Sequence, residues 1–277
     1  MKAKAPLAAG SCTLVLVAAA AGLAWLPGSP LVPRDGGQAG GSAILFLVLL
    51  ATAFAAYIAG LWLVRRQGAP FGASVALAAA IQLVPLGAPL VLSTDAWTYW
   101  AYGWIAARGG GNPYVDSPAE VAGNPALPHM GAAWVGTTSV YGPAFTLASE
   151  PVALAAGSSS GAAAWAFKSA AALSILAAAL LAARLAKRRS LAVAFVGWNP
   201  VLAVHLAGGG HNDALLGALL VAAMALAAAS RLQVAGAMWA TAVLVKWVPL
   251  LFLALRVVEI EGSRIQRLEV EFTDPIP

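Results

Sequence analysis

Seven apolar runs, most of them about as long as a bilayer's hydrocarbon core is thick, constrain this chain more than any other feature: Leu7 to Leu26, Ala43 to Val64, Phe71 to Leu92, Ala162 to Leu185, Leu191 to Ala207, Ala214 to Ala229 and Val234 to Leu255. A helix needs about 20 apolar residues to cross lipid. Each run is bounded by Gly, Pro or charge, and no soluble domain of 277 residues is 61% hydrophobic with only 10% charged residues. The expectation is an all-α polytopic bundle of about seven transmembrane helices, multi-pass in the cell membrane, occupying residues 1–256. The lipid bilayer is its first partner. Residues 257–277 alternate apolar and acidic positions, among them Glu259, Glu261, Glu269 and Glu271, and read as an atypical acidic tail.

The distribution of charge gives an orientation. With the N-terminus cytoplasmic, the inner segments hold Lys2, Lys4, Arg65, Arg66, Arg184, Lys187, Arg188, Arg189 and Arg231 and no acid. The outer segments hold Arg34 and Arg108 together with Asp35, Asp95, Asp116, Glu120, Glu150 and Asp213, as the positive-inside rule requires. The net charge of +5 is thereby read as topology. No nucleic-acid partner is expected, since no basic helix or stacking platform accompanies the charge. The first run, with Lys2 and Lys4 ahead of it and small residues before Trp25, also resembles a signal peptide. Cleavage there would leave the sidedness of the later loops unchanged. The one cysteine, Cys12, excludes an intrachain disulfide and a Cys-based metal site.

One connection is long. Residues 93–161 form an extracytoplasmic loop that opens with Trp97, Trp100 and Trp104 at helical spacing. Aromatic residues favour the membrane boundary, so this segment reads as an interfacial helix. Asp95 stands at its head beside Ser93 and Thr94 and suits either a helix N-cap or a catalytic base. The two roles are compatible, because one carboxylate oxygen can cap while the other faces a cleft. Glycines and prolines then punctuate a loop of defined turns. His211-Asn212-Asp213 opens a later helix on the same face, again either as a cap or as part of a site. His129, His205 and His211 lack the i, i+4 pairing of a zinc helix, so no metal is expected. Lys246 lies inside the last apolar run, where a lysine is a functional candidate unless it snorkels to the interface. Lys168 reads as an interfacial snorkel or a partner of Glu150. A carboxylate, a polar turn and a cation on one face beside an aromatic shelf suit a reaction on a phosphate-bearing lipid.

These residues also carry a resemblance. Ser93-Thr94-Asp95 with Tyr99, Tyr102-Gly103, Gly111-Asn112-Pro113-Tyr114, Tyr141-Gly142-Pro143, Asn199-Pro200, Gly210-His211-Asn212-Asp213 and the Lys246 segment, in that order, resemble the actinobacterial polyprenol-phosphate-mannose-dependent mannosyltransferases of the GT-C superfamily. The likeness runs from about Phe71 to Arg256. It implies a membrane glycosyltransferase of the cell envelope that moves a sugar, usually mannose, from a polyprenyl-phosphate sugar donor to a lipid-linked glycan acceptor outside the cytoplasm, with no cofactor. It further implies Asp95 as general base in a single inverting displacement. Lys246 or Arg108 would stabilise the departing phosphate. His211, Asn212, Asp213, Tyr99, Tyr114 and Tyr141 are the remaining substrate-binding candidates. Members of the family continue for several more helices where this chain turns acidic, so the resemblance implies C-terminal truncation. Two other classes stand beside this one. A non-catalytic assembly subunit would suit the short length, and a transporter would need inverted repeats and broken helices, neither of which is evident in the sequence.

Overall fold

The computed structural model describes residues 4–33 and 41–251; the acidic tail and Arg256 lie outside them. The described residues contain nine α-helices and no strand: α1 (Lys4–Gly22), α2 (Gly41–Gln67), α3 (Phe71–Leu83), α4 (Asp95–Ala107), α5 (Pro143–Ala156), α6 (Ser160–Leu185), α7 (Arg189–Gly197), α8 (Asp213–Ala228) and α9 (Leu232–Val245). The all-α membrane bundle read from the sequence is the architecture observed. Among the described residues three helices are long and apolar enough to cross a membrane, Lys4–Trp25, Gly41–Gln67 and Ser160–Leu185, while Phe71–Gly87, Asp213–Ala228 and Leu232–Val245 are apolar but shorter.

The long helices differ in placement. Half of the most apolar window of α6 is buried inside the protein, against 22% for α2, so α6 is the axis and α2 a flank. Helix α6 packs against α4, α5, α7 and α8. Its buried positions are mostly alanine, including Ala163, Ala171, Ala172, Ala178 and Ala179, and such small residues let helix backbones approach closely in lipid. Helix α2 exposes Ile44, Leu47, Val48, Phe54, Ile58 and Trp62, as expected of a surface solvated by acyl chains.

Three of the apolar runs are not continuous helices, the third, the fifth and the seventh, whose helix stops at Val245, and the expectation of seven spans with no broken helix is corrected here. The third run ends α3 at Leu83, makes a 3₁₀ turn over Val84–Gly87 and then proceeds as irregular backbone to Asp95. The fifth stops at Gly197 and restarts as a π-helical turn over Leu202–Ala207. Pro200 accounts for the second break, because it has no N–H to donate and its ring crowds the preceding turn. The carbonyls laid bare are met by side chains from neighbouring helices: Tyr57 donates to Phe195 (2.7 Å) and Gln82 to Gly197 (3.0 Å) and Asn199 (3.3 Å). Irregular backbone at membrane depth is tolerated where protein donors satisfy it in this way. Trp198, fully buried at the break, is held by its own indole bond to the Ser74 carbonyl (3.0 Å).

The long connection holds two helices, the aromatic α4 and also α5. Of the three tryptophans Trp100 is fully buried, with Tyr99 and Tyr102 beside it, and only Trp97 and Trp104 are partly open. The close approach of α4 and α5 depends on Gly103, where a Cβ would strike the Ser149 carbonyl.

Candidate functional site

Asp95 is the first residue of α4, and its carboxylate caps nothing. Oδ2 lies 3.0 Å from His211 Nδ1 and accepts from the Tyr99 hydroxyl at 3.3 Å. The local turn is instead closed by Ser93, whose Oγ accepts from the Asp95 N–H (3.0 Å). The cap reading of Asp95 therefore gives way to a carboxylate aimed at another element. Tyr99 reaches it because residues at i and i+4 share a helix face, and the same hydroxyl accepts from the Asn212 backbone N–H (3.3 Å). Asn212 precedes α8, yet its side chain makes no cap, and both its amide atoms are buried without a partner. Asp213 turns to α9 and binds Lys246 Nζ at 2.8 Å. Its cap reading fails for the same reason as that of Asp95.

The irregular approach to Asp95 is held from three sides. Lys168, almost wholly buried in α6, donates to the carbonyls of Ala88 (2.6 Å) and Pro89 (3.3 Å). It is neither a snorkel nor a partner of Glu150. Val91 N–H donates to Gly208, and Leu92, in the left-handed region at φ 64°, donates to Leu31 at 2.7 Å. A non-glycine residue held there is costly and persists only where its surroundings over-determine it. On the opposite wall Gly210 has φ +68°, and its Cα faces Ala96, Lys168 and Phe167, so glycine is required for the turn that delivers His211.

Aromatic rings enclose the cluster. Tyr141, Phe145 and Phe167 each meet Tyr99 edge-on, at centroid distances of 4.9, 4.8 and 5.3 Å. Tyr114 stands one layer out, donating to the Tyr141 carbonyl (3.0 Å) with its hydroxyl 2.9 Å from that of Thr146. It supports the wall and does not enter the cluster. Gly142 fastens the wall to α9: its N–H donates to the Val245 carbonyl (2.9 Å), and a Cβ would occupy the place of the Leu244 carbonyl oxygen. Lys246 follows at once, with extended backbone where the helix stops. Its sequence reading as a lysine inside a continuous span is corrected accordingly: it sits at a helix end with its charge compensated by Asp213.

Burial works to raise the Asp95 carboxyl, but the hydrogen bond and charge of His211, then Ser93 and Tyr99, outweigh it and hold the group below its ordinary value. Asp95 is thus an ionised acceptor at neutral pH. Burial, reinforced by neighbouring tyrosine and carboxylate charge, pushes the phenols of Tyr99 and Tyr141 upward, so both stay protonated. His211 presents Nδ1 to Asp95, while its buried Nε2 has no partner and its ring lies 4.5 Å from that of His205 in the π turn.

Of the sequence candidates, Asp95, Tyr99, His211, Asn212, Asp213, Lys246 and Tyr141 come together at one end of the bundle, and Tyr114 abuts them. Arg108 does not. It is exposed at the far end of α4, about 20 Å from Asp95 at the helical rise of 1.5 Å per residue. Sequence reading missed the roles of Ser93, Lys168 and Gly142. Lys168 carried the same signal as Lys246, a cation in an apolar run, but its carbonyl partners lie about 80 residues away in the chain.

A family model described as "Alpha-(1->6)-mannopyranosyltransferase, N-terminal domain" matches residues 7–260. Alpha-(1->6)-mannopyranosyltransferase A of Mycobacterium tuberculosis is 33% identical over 159 residues, which covers 54% of this chain and 30% of that relative's own length. No solved structure matches.

Proposed function

The chain belongs to the alpha-(1->6)-mannopyranosyltransferase family, of which it matches the N-terminal domain, and from this membership and the cluster around Asp95 we propose that it serves mannosyl transfer on the extracytoplasmic side of a membrane. The donor in this reading is a polyprenyl-phosphate mannose and the acceptor a lipid-linked glycan. Residues 1–256 act as the membrane domain, and residues 93–161 as its outer loop. The observation that carries the reading is the geometry of Asp95, whose carboxylate is held by His211 and Tyr99 through one oxygen, Oδ2, which leaves Oδ1 for a proton.

The chemistry balances as follows. Asp95 Oδ1 takes the proton of an acceptor hydroxyl as that oxygen attacks the anomeric carbon. The bond from that carbon to the phosphate oxygen breaks, and the phosphate leaves as an anion, so no second carboxyl acid is needed. Configuration inverts in the single displacement. Lys246 is the cation of choice for the leaving phosphate. Asp213 engages one of the three N–H donors of its ammonium group and leaves two. Asn212, with an unpartnered amide at the same place, supplies donors and acceptors for sugar hydroxyls, and the ring wall of Tyr99, Tyr141 and Phe145 limits access of water.

The decisive experiment is Asp95→Asn, assayed as transfer of labelled mannose from the polyprenyl-phosphate donor in membranes carrying the chain. Asn retains an acceptor for His211 and Tyr99 but cannot take the proton. Transfer should fall by about 10² to 10⁴, while the fold is kept and Tm drops only by the part of the His211 interaction that needs the charge. Turnover near that of the unsubstituted chain would remove Asp95 as the base.

A further inference from the structure

At the other end of the bundle the short α2–α3 and α6–α7 connections lie together. Arg188 donates to the Arg65 carbonyl (2.9 Å) and Ser190 to that of Ala69 (2.8 Å). Two joined cavities open there. One, of about 450 Å³, is lined by Arg65, Lys187, Arg188 and Arg189. The other, of about 580 Å³, shares Arg65 and Arg188 with it and continues between Ile58, Leu61, Phe195 and Val196. Ile58 stands seven residues before Arg65 in α2, so the apolar part runs about 10 Å along the helix. No carboxylate lines either cavity, and the four cationic side chains are exposed. Arg66, beside the basic cavity, and Arg189, which lines it, are propped on rings, over Trp62 at 5.0 Å and Phe71 at 4.3 Å.

A site with one sign of charge at its mouth and an apolar channel behind it matches an amphiphile with an anionic head. A soluble polyanion would leave the channel unused, and a neutral lipid would leave four cations without a counter-charge. We propose that this groove binds an anionic phospholipid, its phosphodiester among Arg65, Lys187, Arg188 and Arg189 and one acyl chain along α2 and α7. The basic residues at this end then do more than orient the chain. Basic pockets between membrane helices are suited to acidic lipid head groups. The proposal does not depend on the catalytic reading of Asp95.

Native mass spectrometry of the detergent-purified chain, titrated with phosphatidylglycerol or phosphatidylcholine, tests it. Phosphatidylglycerol should be retained at least tenfold more tightly, and glycerol phosphate at the same concentration should not displace it. The double variant Lys187→Gln/Arg189→Gln should weaken phosphatidylglycerol retention by roughly 30-fold; it spares Arg188, whose bond to Arg65 joins two connections. Ala182→Phe, which narrows the apolar cavity without changing charge, should weaken both lipids. Equal retention of the two lipids would overturn the proposal. So would full displacement by glycerol phosphate, or an equal loss in Arg184→Gln/Arg231→Gln, which line a separate cleft between α6 and α8.

Discussion

The two ends of the bundle treat charge in opposite ways. At one end Asp95, His211, Asp213 and Lys246 are partly buried and bonded to each other across three helices. At the other, Arg65, Lys187, Arg188 and Arg189 are exposed, of one sign, and lined by no acid. Charges withdrawn from water are retained only where a partner compensates them, and the partners here come from distant parts of the chain. Exposed cations need no such partner and can remain available to an outside anion. Geometry at the first end is therefore specific to atoms, and at the second it is specific only to sign and shape.

The largest effect should come from disturbing the backbone that assembles the acidic end. Gly142→Ala would place a methyl group on the Leu244 carbonyl, a backbone atom that cannot swing aside. We expect a loss of about 1–3 kcal/mol, read as a lowered Tm, and weaker donor binding as Lys246 shifts. The matching change at the basic end, Gly72→Ala, meets nothing within 4 Å in helix α3. It should be neutral or stabilise by up to about 1 kcal/mol. Equal effects at both ends would remove the distinction between them.

Next in size is the pH response of Asp95. His211 is the chief group lowering its pKa, against burial, which raises it. A carboxyl held below its unfolded value of about 3.9 contributes stability that is present above that pH and is lost as pH falls through the folded value. In His211→Leu burial acts unopposed by histidine, so the acid limb of the transfer rate should move to higher pH, with the rate at neutral pH lowered as well. An unmoved limb would reduce His211 to a packing residue.

How much of this was legible beforehand follows from the range of each interaction. Helix α2 and helix α6 were visible because periodicity and apolar length are local properties. The Asp95, His211, Asp213 and Lys246 segments were visible because polar residues in an apolar chain stand out. Their pairing was not, since Asp95 meets His211 and Asp213 meets Lys246 only through tertiary packing. Hence a cap stayed open for both acids beside a role in the site, although neither caps in the fold. The break at Trp198-Asn199-Pro200 was signalled by Pro200 itself, but the donors that make it tolerable, Tyr57 and Gln82, lie more than a hundred residues earlier. The irregular stretch before Asp95 carried local signals in Pro85, Gly87 and Pro89, but the left-handed turn at Leu92 did not, because that residue type disfavours the conformation it adopts.

A smaller effect is expected from the Lys246–Asp213 pair. Its side chains are 26% and 42% exposed, so solvent screens the attraction and the coupling should be about 1 kcal/mol or less. A double-mutant cycle of Lys246→Met and Asp213→Asn measures it. The stability coupling should stay small while each single change weakens donor binding. A coupling above about 3 kcal/mol would mark the pair as a structural clamp.

The smallest effect separates the two cations considered for the donor phosphate. Arg108 is exposed and lies at the end of α4 remote from Asp95. An anion leaving the anomeric carbon next to Asp95 cannot also be within hydrogen-bond reach of a group about 20 Å away. Arg108→Gln should thus change stability by no more than about 0.5 kcal/mol and leave donor affinity unaltered, whereas Lys246→Met lowers that affinity. The reverse pattern, with Arg108 governing donor binding and Lys246 silent, would place the phosphate at the far end of α4. It would also separate the donor from Asp95, and with it the paired charges from the chemistry proposed for them.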